Sequence, residues 1–309
     1  MPTILGHEIV GHIESFGPHT STQDLRGQNL VIGSKITWAI YASDPHSRSA
    51  QRGIPQKAEG LFKYGHERIT SENNFHGGLS EYIVLRKNTP IIRLQDDLPD
   101  AIAAMINCAV ATVSGAMRLA GHIKNQQVLI NGAGMLGLIA CAMAKVMGAQ
   151  NILVLDADVA RAEMAKNFGA DDVAGGEDIA KAIADCVQDD PSGRHRINVL
   201  LEFSGIPQAI ENTLSTLDIG GVAVWVGATF PQDNIVINAE YIGRRLLTIK
   251  GLHNYNAQDL IHAVEFIEQH HMTYDFNRLI ARVYPLAQVN DAFRYAVCNN
   301  PYRVGIKIN

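Results

Sequence analysis

Gln127-Val128-Leu129-Ile130-Asn131-Gly132-Ala133-Gly134-Met135-Leu136-Gly137 runs from β-prone residues through three spaced glycines into a long apolar segment. The short apolar run predicts a buried strand over 127–131, and the apolar stretch 136–147, stopped by Gly148, predicts a helix. A G-x-G-x-x-G spacing alone is weak evidence, but here it lies between a strand and a helix. In that context the first glycine makes the tight turn, the second lets the backbone approach a pyrophosphate, and the third allows close helix-to-strand packing. Unpaired N–H groups and the helix dipole then favour an anion at the helix N-terminus. The expected contacts of a nicotinamide dinucleotide are therefore Gly132, Gly134, Met135, Leu136 and Gly137. Asp156 ends the next apolar run, 19 positions after Gly137. Its carboxylate there would accept from ribose hydroxyls and repel a 2′-phosphate, so NAD is favoured over NADP. Arg161, close by, is the residue type that would accommodate a 2′-phosphate. The plainer alternative is that the glycines serve packing only and Asp156 caps the helix that follows.

The alternation continues outward from this stretch. Residues 151–155 and 197–203 read as further buried strands, 160–168 as a helix ended by Gly169, 208–217 as another helix, and 222–226 and 247–250 as the last strands. Such alternation builds a parallel sheet, so a doubly wound α/β fold is expected between about 126 and 251, with at least five strands. Toward the N-terminus the pattern changes. The pieces 30–32, 35–39 and 81–85 are short and β-like, with no helical period before Pro99, which predicts an all-β region. Residues 42–74 are polar and aperiodic and read as a protruding loop. Helices are expected at 257–269 and 288–298, and a strand at 303–308. With 47% hydrophobic and 18% charged residues in 309, the chain has material for large cores, which excludes disorder as its main state. A net charge of −5, with Arg244-Arg245 the only paired arginines, gives no reason to expect a nucleic-acid or membrane partner. There is no basic-then-apolar leader and no run of 18 apolar residues, so the chain reads as neither secreted nor membrane-spanning.

Gly6-His7-Glu8-Ile9-Val10-Gly11, with Gly17, sets an imidazole beside a carboxylate in a glycine-flanked segment. Neighbours in an extended segment point opposite ways, so both could touch one metal only at a bend or by alternation. Read alone, the pair is an ordinary solvated His-Glu. A catalytic zinc needs three protein ligands and an open position, and His, Cys and Glu all qualify. The four cysteines, Cys108, Cys141, Cys186 and Cys298, lie far apart with no Cys-x-x-Cys pair, which fits a reducing, cytoplasmic setting. Cys141, Cys186 and Cys298 read as packing residues. Cys108 differs, because Asn107-Cys108-Ala109-Val110-Ala111-Thr112 joins two domains, where a cleft is expected. Gly65-His66-Glu67 repeats the tripeptide without the following glycines and is the weaker ligand candidate.

Taken in order, Gly6 to Gly11 with Gly17, Cys108 to Thr112, the glycine fingerprint and Asp156 resemble the medium-chain zinc-dependent alcohol dehydrogenase family. The likeness includes Leu201-Glu202-Phe203-Ser204-Gly205 and 220–227 and extends over essentially the whole chain. Within that family, Gly53-Ile54-Pro55-Gln56-Lys57, Lys63-Tyr64-Gly65-His66-Glu67, 107–113 and Gly251-Leu252-His253-Asn254-Tyr255 look most like the alcohol dehydrogenases associated with phosphonate catabolism. The resemblance implies a Rossmann doubly wound parallel sheet (110–251) inserted in a GroES-like β-barrel catalytic domain (1–109 and 252–309). It implies that His7 and Cys108 ligate one catalytic zinc, with Glu8 a direct or alternating ligand. It also implies that Thr112 lies against the nicotinamide, that Gly227 lines the cofactor cleft and that Arg303 reaches the pyrophosphate. The implied reaction is hydride transfer between a small alcohol or carbonyl substrate and NAD, with zinc as the Lewis acid. A homo-dimer or homo-tetramer joined near 246–251 is implied as well.

Two departures from the family stand out. Its earlier Cys ligand and proton-relay groups fall upstream of the Gly-His-Glu motif, where this chain has five residues, so the catalytic domain is expected to lack its opening strands. The four cysteines of the family's structural zinc correspond to Asp44, Ser47, Ala50 and Ala58, so no structural zinc is expected, and His46, His66 and His76 read as solvated. Two other readings stay open. One is a zinc-independent quinone or enone reductase of the same superfamily, which would lack the His7-Glu8-Cys108 set. The other is a truncated or degenerate NAD-binding protein without catalysis.

Overall fold

The computed structural model describes residues 2–18, 20–187 and 196–308. The chain divides into two compact units, Thr112–His253 on the one hand and Met1–Ala111 with Asn254–Asn309 on the other.

Unit Thr112–His253 is built on six strands, β1 (Gln127–Asn131), β2 (Asn151–Asp156), β3 (Asp172–Gly175), β4 (Ile197–Glu202), β5 (Leu217–Trp225) and β6 (Thr248–Gly251). They form one sheet in the order β6-β5-β4-β1-β2-β3, and every pair is parallel. β1 is buried along its whole length, and β4 at every position but Asn198. This is why both read as unbroken apolar runs, since strands covered on both faces lose the in-out alternation. The chain steps outward from β1 to β3 and then returns to place β4 on the other side of β1. That reversal is the point of a doubly wound sheet where ligands bind, outside the carboxyl ends of the strands. Helix α1 (Met135–Val146) follows β1, and α2 (Val159–Met164) follows β2, continuing as a tighter turn to Phe168 that Gly169 ends at φ +97°.

The expectation of at least five strands holds with six, one helix boundary is corrected, and the capping alternative for Asp156 does not hold. β3 adds a strand that its Asp-Val-Ala-Gly sequence does not announce, because only Ala174 in it is buried. The helix expected over 208–217 is Pro207–Leu214. It stops there because the Thr216 hydroxyl donates to the Thr213 carbonyl, turning the chain so that Leu217 begins β5. The cap of α2 is Asp158, which accepts from the Ala160 and Arg161 amides, and not Asp156.

In the other unit, Gly11–His12, Lys35–Trp38 and Ile91–Arg93 form an antiparallel three-stranded sheet. Tyr41–Ala42 pairs antiparallel with Phe62–Lys63, and Ile280–Pro285 pairs parallel with Arg303–Lys307. Ile9, Ile36, Trp38, Phe62 and Tyr64 pack into one apolar cluster here. Two expected strands are absent as such. Residues 30–32 make a turn closed by Ser34 N–H on the Val31 carbonyl, and residues 81–85 keep an alternating pattern, with Tyr82 and Val84 exposed, but form no ladder. Alternation signals a half-buried segment and not its pairing partner.

The loop expected over 42–74 holds a short helix, Arg48–Gln51, whose N-cap is Ser47. His76 was expected in solvent, but it is buried against the Phe62 ring. Cys298, expected to pack, is exposed, whereas Cys141 and Cys186 are buried, and all four cysteines are free. The stretch Asp100–Ala120 is long and apolar enough to cross a membrane by length and composition, yet 78% of its most apolar 18-residue window is buried inside the protein.

Candidate metal centre and dinucleotide site

Segment 4–9 is held in place by backbone packing that only glycine permits. Gly6 takes φ +94°, and its carbonyl accepts from the Gly78 amide at 2.8 Å. A Cβ on Gly77 would stand 1.9 Å from the Ile4 carbonyl oxygen, and one on Gly65 2.5 Å from that of Gly6. Asn107, fully buried, clamps the segment on both sides of Glu8. Its side-chain amide donates to the His7 carbonyl at 2.9 Å and the Trp38 carbonyl at 3.0 Å, and its oxygen accepts from the Ile9 amide at 3.2 Å. Asn107 lies in a π-helical turn, Ile106–Val110, that also carries Cys108. The Tyr255 hydroxyl braces that turn by donating to the Asn107 carbonyl while accepting from the Ile40 amide at 3.1 Å.

The result is that residues about a hundred positions apart converge. Cys108 Sγ lies 3.4 Å from His7 Nε2, and ligand atoms of His7, Glu8 and Cys108 all fall within 4.8 Å of one another. Among the described residues no other group of three such side chains does this. Burial lowers the His7 pKa below its ordinary 6.5, partly offset by Glu8, so its imidazole is held neutral and able to ligate. Burial, then the Glu8 carboxylate, pushes the Cys108 thiol up to about 12. A cation would reverse that shift, because a coordinating thiol is deprotonated outright. Imidazole, thiolate and carboxylate together are a donor set that suits zinc.

Two neighbours stand beside this set: Arg303, which the resemblance assigned to a pyrophosphate, and His66, the weaker ligand candidate of the repeated Gly-His-Glu. Arg303 forms a two-pronged ion pair with Glu8, at 2.8 and 2.9 Å. Burial opposes the Arg303 charge, but the Glu8 bonds outweigh it and raise its pKa. His66 lies with its ring beside that of His7, and its only sequence signal was the repeated Gly-His-Glu.

In the other unit, the three fingerprint glycines differ in their constraints. Gly132 turns at φ +99°, and a Cβ there would stand 2.8 Å from the Ser204 amide nitrogen. A Cβ on Gly137 would stand 1.8 Å from the Gly132 carbonyl oxygen, whereas one on Gly134 would meet nothing within 4 Å. Gly134 is the N-cap of α1 and offers no side-chain cap, so the α1 N-terminus, at Met135, Leu136 and Gly137, is an anion-binding arrangement. Asp156 turns back to this loop, accepting from the Ala133 amide at 2.7 Å and from the Asp158 amide at 2.8 Å. Arg161 stands 3.9 Å from Asp158. Thr112 is buried at the start of helix Ala111–Ala120, and the Gly227 amide donates to the Glu202 carbonyl at 3.0 Å.

Sequence reading missed the side chain of Glu202, which sits fully buried at the carboxyl end of β4, beside Asn131 of β1. It accepts from the Ser204 amide at 2.8 Å, the Gly205 amide at 3.0 Å and the Ser204 hydroxyl. Burial raises its pKa above the ordinary 4.5 against these bonds. A charge inside the apolar run Leu200-Leu201-Glu202-Phe203 was the available signal.

Residues 136–269 match the zinc-binding dehydrogenase family. The L-threonine 3-dehydrogenase of Idiomarina loihiensis is 28% identical over 82% of this chain and 68% of its own length. An alcohol dehydrogenase from Thermotoga maritima superposes with a TM-score of 0.91 at 25% identity, covering all of this chain and 85% of its own. A zinc-binding dehydrogenase from Sinorhizobium meliloti, solved with NADP, shares the fold at a TM-score of 0.80 and 21% identity, over 99% of this chain and 83% of its own. The chain is thus similar to zinc-dependent medium-chain dehydrogenases over its dinucleotide-binding part and shares their fold over its whole length. Its architecture is the α/β one expected, a Rossmann sheet within the GroES-like arrangement of the alcohol dehydrogenases.

Proposed function

We propose that the chain is an NAD-linked, zinc-dependent oxidoreductase that moves a hydride between a small alcohol and its carbonyl. The observation that carries this reading is the convergence of His7, Glu8 and Cys108 in a chain whose β1–α1 turn is shaped for a pyrophosphate. When bound, zinc supplies Lewis-acid polarisation of the alcohol oxygen, and the nicotinamide accepts the hydride. The chain's own residues bind and align. His7 and Cys108 hold the metal with Glu8 beside it, and Asn107 fixes the His7 backbone. The α1 N-terminus takes the pyrophosphate, Asp156 takes the adenosine ribose, and Thr112 and Gly227 flank the nicotinamide. Arg303 is assigned to the pyrophosphate as well as to Glu8.

NAD is preferred to NADP because the Asp156 carboxylate is aimed at the fingerprint loop, where a 2′-phosphate would meet like charge. One catalytic zinc is expected, and no structural zinc in the lobe. A dinucleotide-binding protein without catalysis would have no use for the convergent ligand atoms. Lys63, whose pKa is lowered by burial and then by Lys57, adds positive potential beside Cys108 and His7, which suits an anionic alcohol such as a hydroxyalkylphosphonate. The four free cysteines suit the cytoplasm, and the edge strand β6 suits joining to a second copy in a homo-dimer or homo-tetramer.

The test is NADH formation on a panel of small alcohols that includes threonine and hydroxyalkylphosphonates. Turnover should depend on NAD, disappear on chelation and return with zinc. Full turnover by metal-free protein would contradict the reading.

A further inference from the structure

Three turns meet at the carboxyl edge of the parallel sheet: 132–134 after β1, 203–205 after β4 and 226–228 after β5. Their backbones touch. A Cβ on Gly132 would press on the Ser204 amide nitrogen, and one on Gly227 would stand 2.4 Å from the Gly205 amide nitrogen and 2.6 Å from the Phe203 carbonyl carbon. Turn 203–205 is therefore a wedge between the turn assigned above to the pyrophosphate and the turn assigned to the nicotinamide.

Glu202 shapes that wedge. Its Oε1 accepts from the Ser204 amide at 2.8 Å, the Gly205 amide at 3.0 Å, the Ser204 hydroxyl and, at 3.5 Å, the side-chain amide of Asn131, the residue before Gly132. Its main-chain carbonyl accepts from the Val226 and Gly227 amides at 2.9 and 3.0 Å. One residue thus holds the β4 turn through its side chain and the β5 turn through its backbone. Stability alone does not call for a carboxylate here, because an apolar side chain would continue the run Leu200-Leu201 without desolvating an acid. What the buried and bonded carboxylate supplies is a rigid turn, placed where a doubly wound sheet binds its ligand.

Building on the dinucleotide reading above, we propose that Glu202 is a positioning residue for the nicotinamide half of the cofactor, locking the 203–205 wedge against Gly227 and so fixing the wall on which the ring rests. Glu202 is fully buried and acts through the turns it holds, without touching the cofactor. The pyrophosphate turn has supports of its own, since Asp156 accepts from the Ala133 amide at 2.7 Å and Gly137 packs on the Gly132 carbonyl. Loss of the Glu202 acceptor should therefore fall on the nicotinamide half and spare the adenosine half.

The test compares the full chain with Glu202→Leu, which keeps the bulk and loses the acceptor, Glu202→Gln, which keeps an oxygen at Oε1, and Ser204→Ala, which loses one donor to it. Affinities for NADH and for ADP are measured side by side, because ADP carries the pyrophosphate and adenosine without the nicotinamide. Glu202→Leu should bind NADH roughly tenfold more weakly, the scale of a hydrogen bond to a charged group, while ADP affinity stays within about threefold of wild type. Glu202→Gln should recover most of the NADH affinity, and Ser204→Ala should lie between wild type and Glu202→Leu. Wild-type NADH affinity in a folded Glu202→Leu, equal losses of NADH and ADP, or no recovery in Glu202→Gln would overturn the proposal. If Glu202→Leu does not fold, Ser204→Ala decides, and an unchanged ratio of NADH to ADP affinity in it would overturn the proposal. A wild-type chain that binds neither NADH nor ADP would instead overturn the dinucleotide reading on which the proposal rests.

Discussion

A methyl group added at Gly137 would collide with the Gly132 carbonyl oxygen, 1.8 Å away, whereas one added at Gly134 would meet nothing within 4 Å. Two glycines of one motif should therefore fail differently. Gly137→Ala should lower the melting temperature by several degrees, because the β1–α1 turn must open, a strain costing on the order of 2 kcal/mol. Gly134→Ala should melt like wild type yet bind NADH at least about tenfold more weakly, since its Cβ would enter the space in which the pyrophosphate is proposed to bind. Thermal melts paired with NADH fluorescence titration check both, and an unchanged NADH affinity in Gly134→Ala would contradict the assignment.

Glu202 makes a second prediction at this scale. Its folded pKa is raised, so the folded state holds a proton that the unfolded chain releases near 4.5. The stability this contributes is fully present below pH 4.5 and is lost as pH rises through the folded value. Glu202→Gln, which cannot ionise, should not lose stability over that window. The difference between the two urea midpoints, followed from pH 4 upward, should move in favour of Glu202→Gln, and a constant difference would contradict the burial argument. Residues with their own motif, such as Gly132 and Cys108, could be read from sequence. Asn107, Tyr255 and Glu202 could not, because their importance lies in partners far along the chain.

Among the elements, the π-helical turn Ile106–Val110 sets the position of Cys108, and Tyr255 holds it from the loop before helix Ala257–His270. That helix is itself anchored by a capping box between Asn256 and Asp259. Tyr255→Phe removes the acceptor of the buried Ile40 amide and the donor to the Asn107 carbonyl, so it should cost about 2–4 kcal/mol. It should also weaken zinc, because Asn107 and Cys108 share the turn. Denaturant unfolding and zinc competition check this, and a stable variant with unchanged zinc affinity would separate the turn from the centre. Elements buried on both faces were legible, as β1, β2 and β4 show, since their apolar runs have no other use. β3 was hidden because it buries one side chain, and 30–32 and 81–85 misled because alternation reports burial without reporting a partner strand.

At the scale of the whole molecule, the metal-type set lies in one unit and the dinucleotide fingerprint in the other. The set is assembled from positions 7, 8 and 108, with Arg303 on Glu8 and the His66 ring beside His7, so its parts were readable as residue types while their meeting was not. Sequence reading named His66 as solvated, which its exposure bears out, and as the weaker ligand candidate; it gave no sign that Arg303 pairs with Glu8, because neither side chain carries a local mark of the other. The account stands or falls on whether this centre holds a metal. The direct measurement is the zinc content of the purified chain beside that of Cys108→Ser, by elemental analysis after removal of loosely held ions. It should show one zinc per wild-type chain and a large loss in Cys108→Ser; a wild-type chain free of zinc, or a variant that keeps a full equivalent, would contradict it.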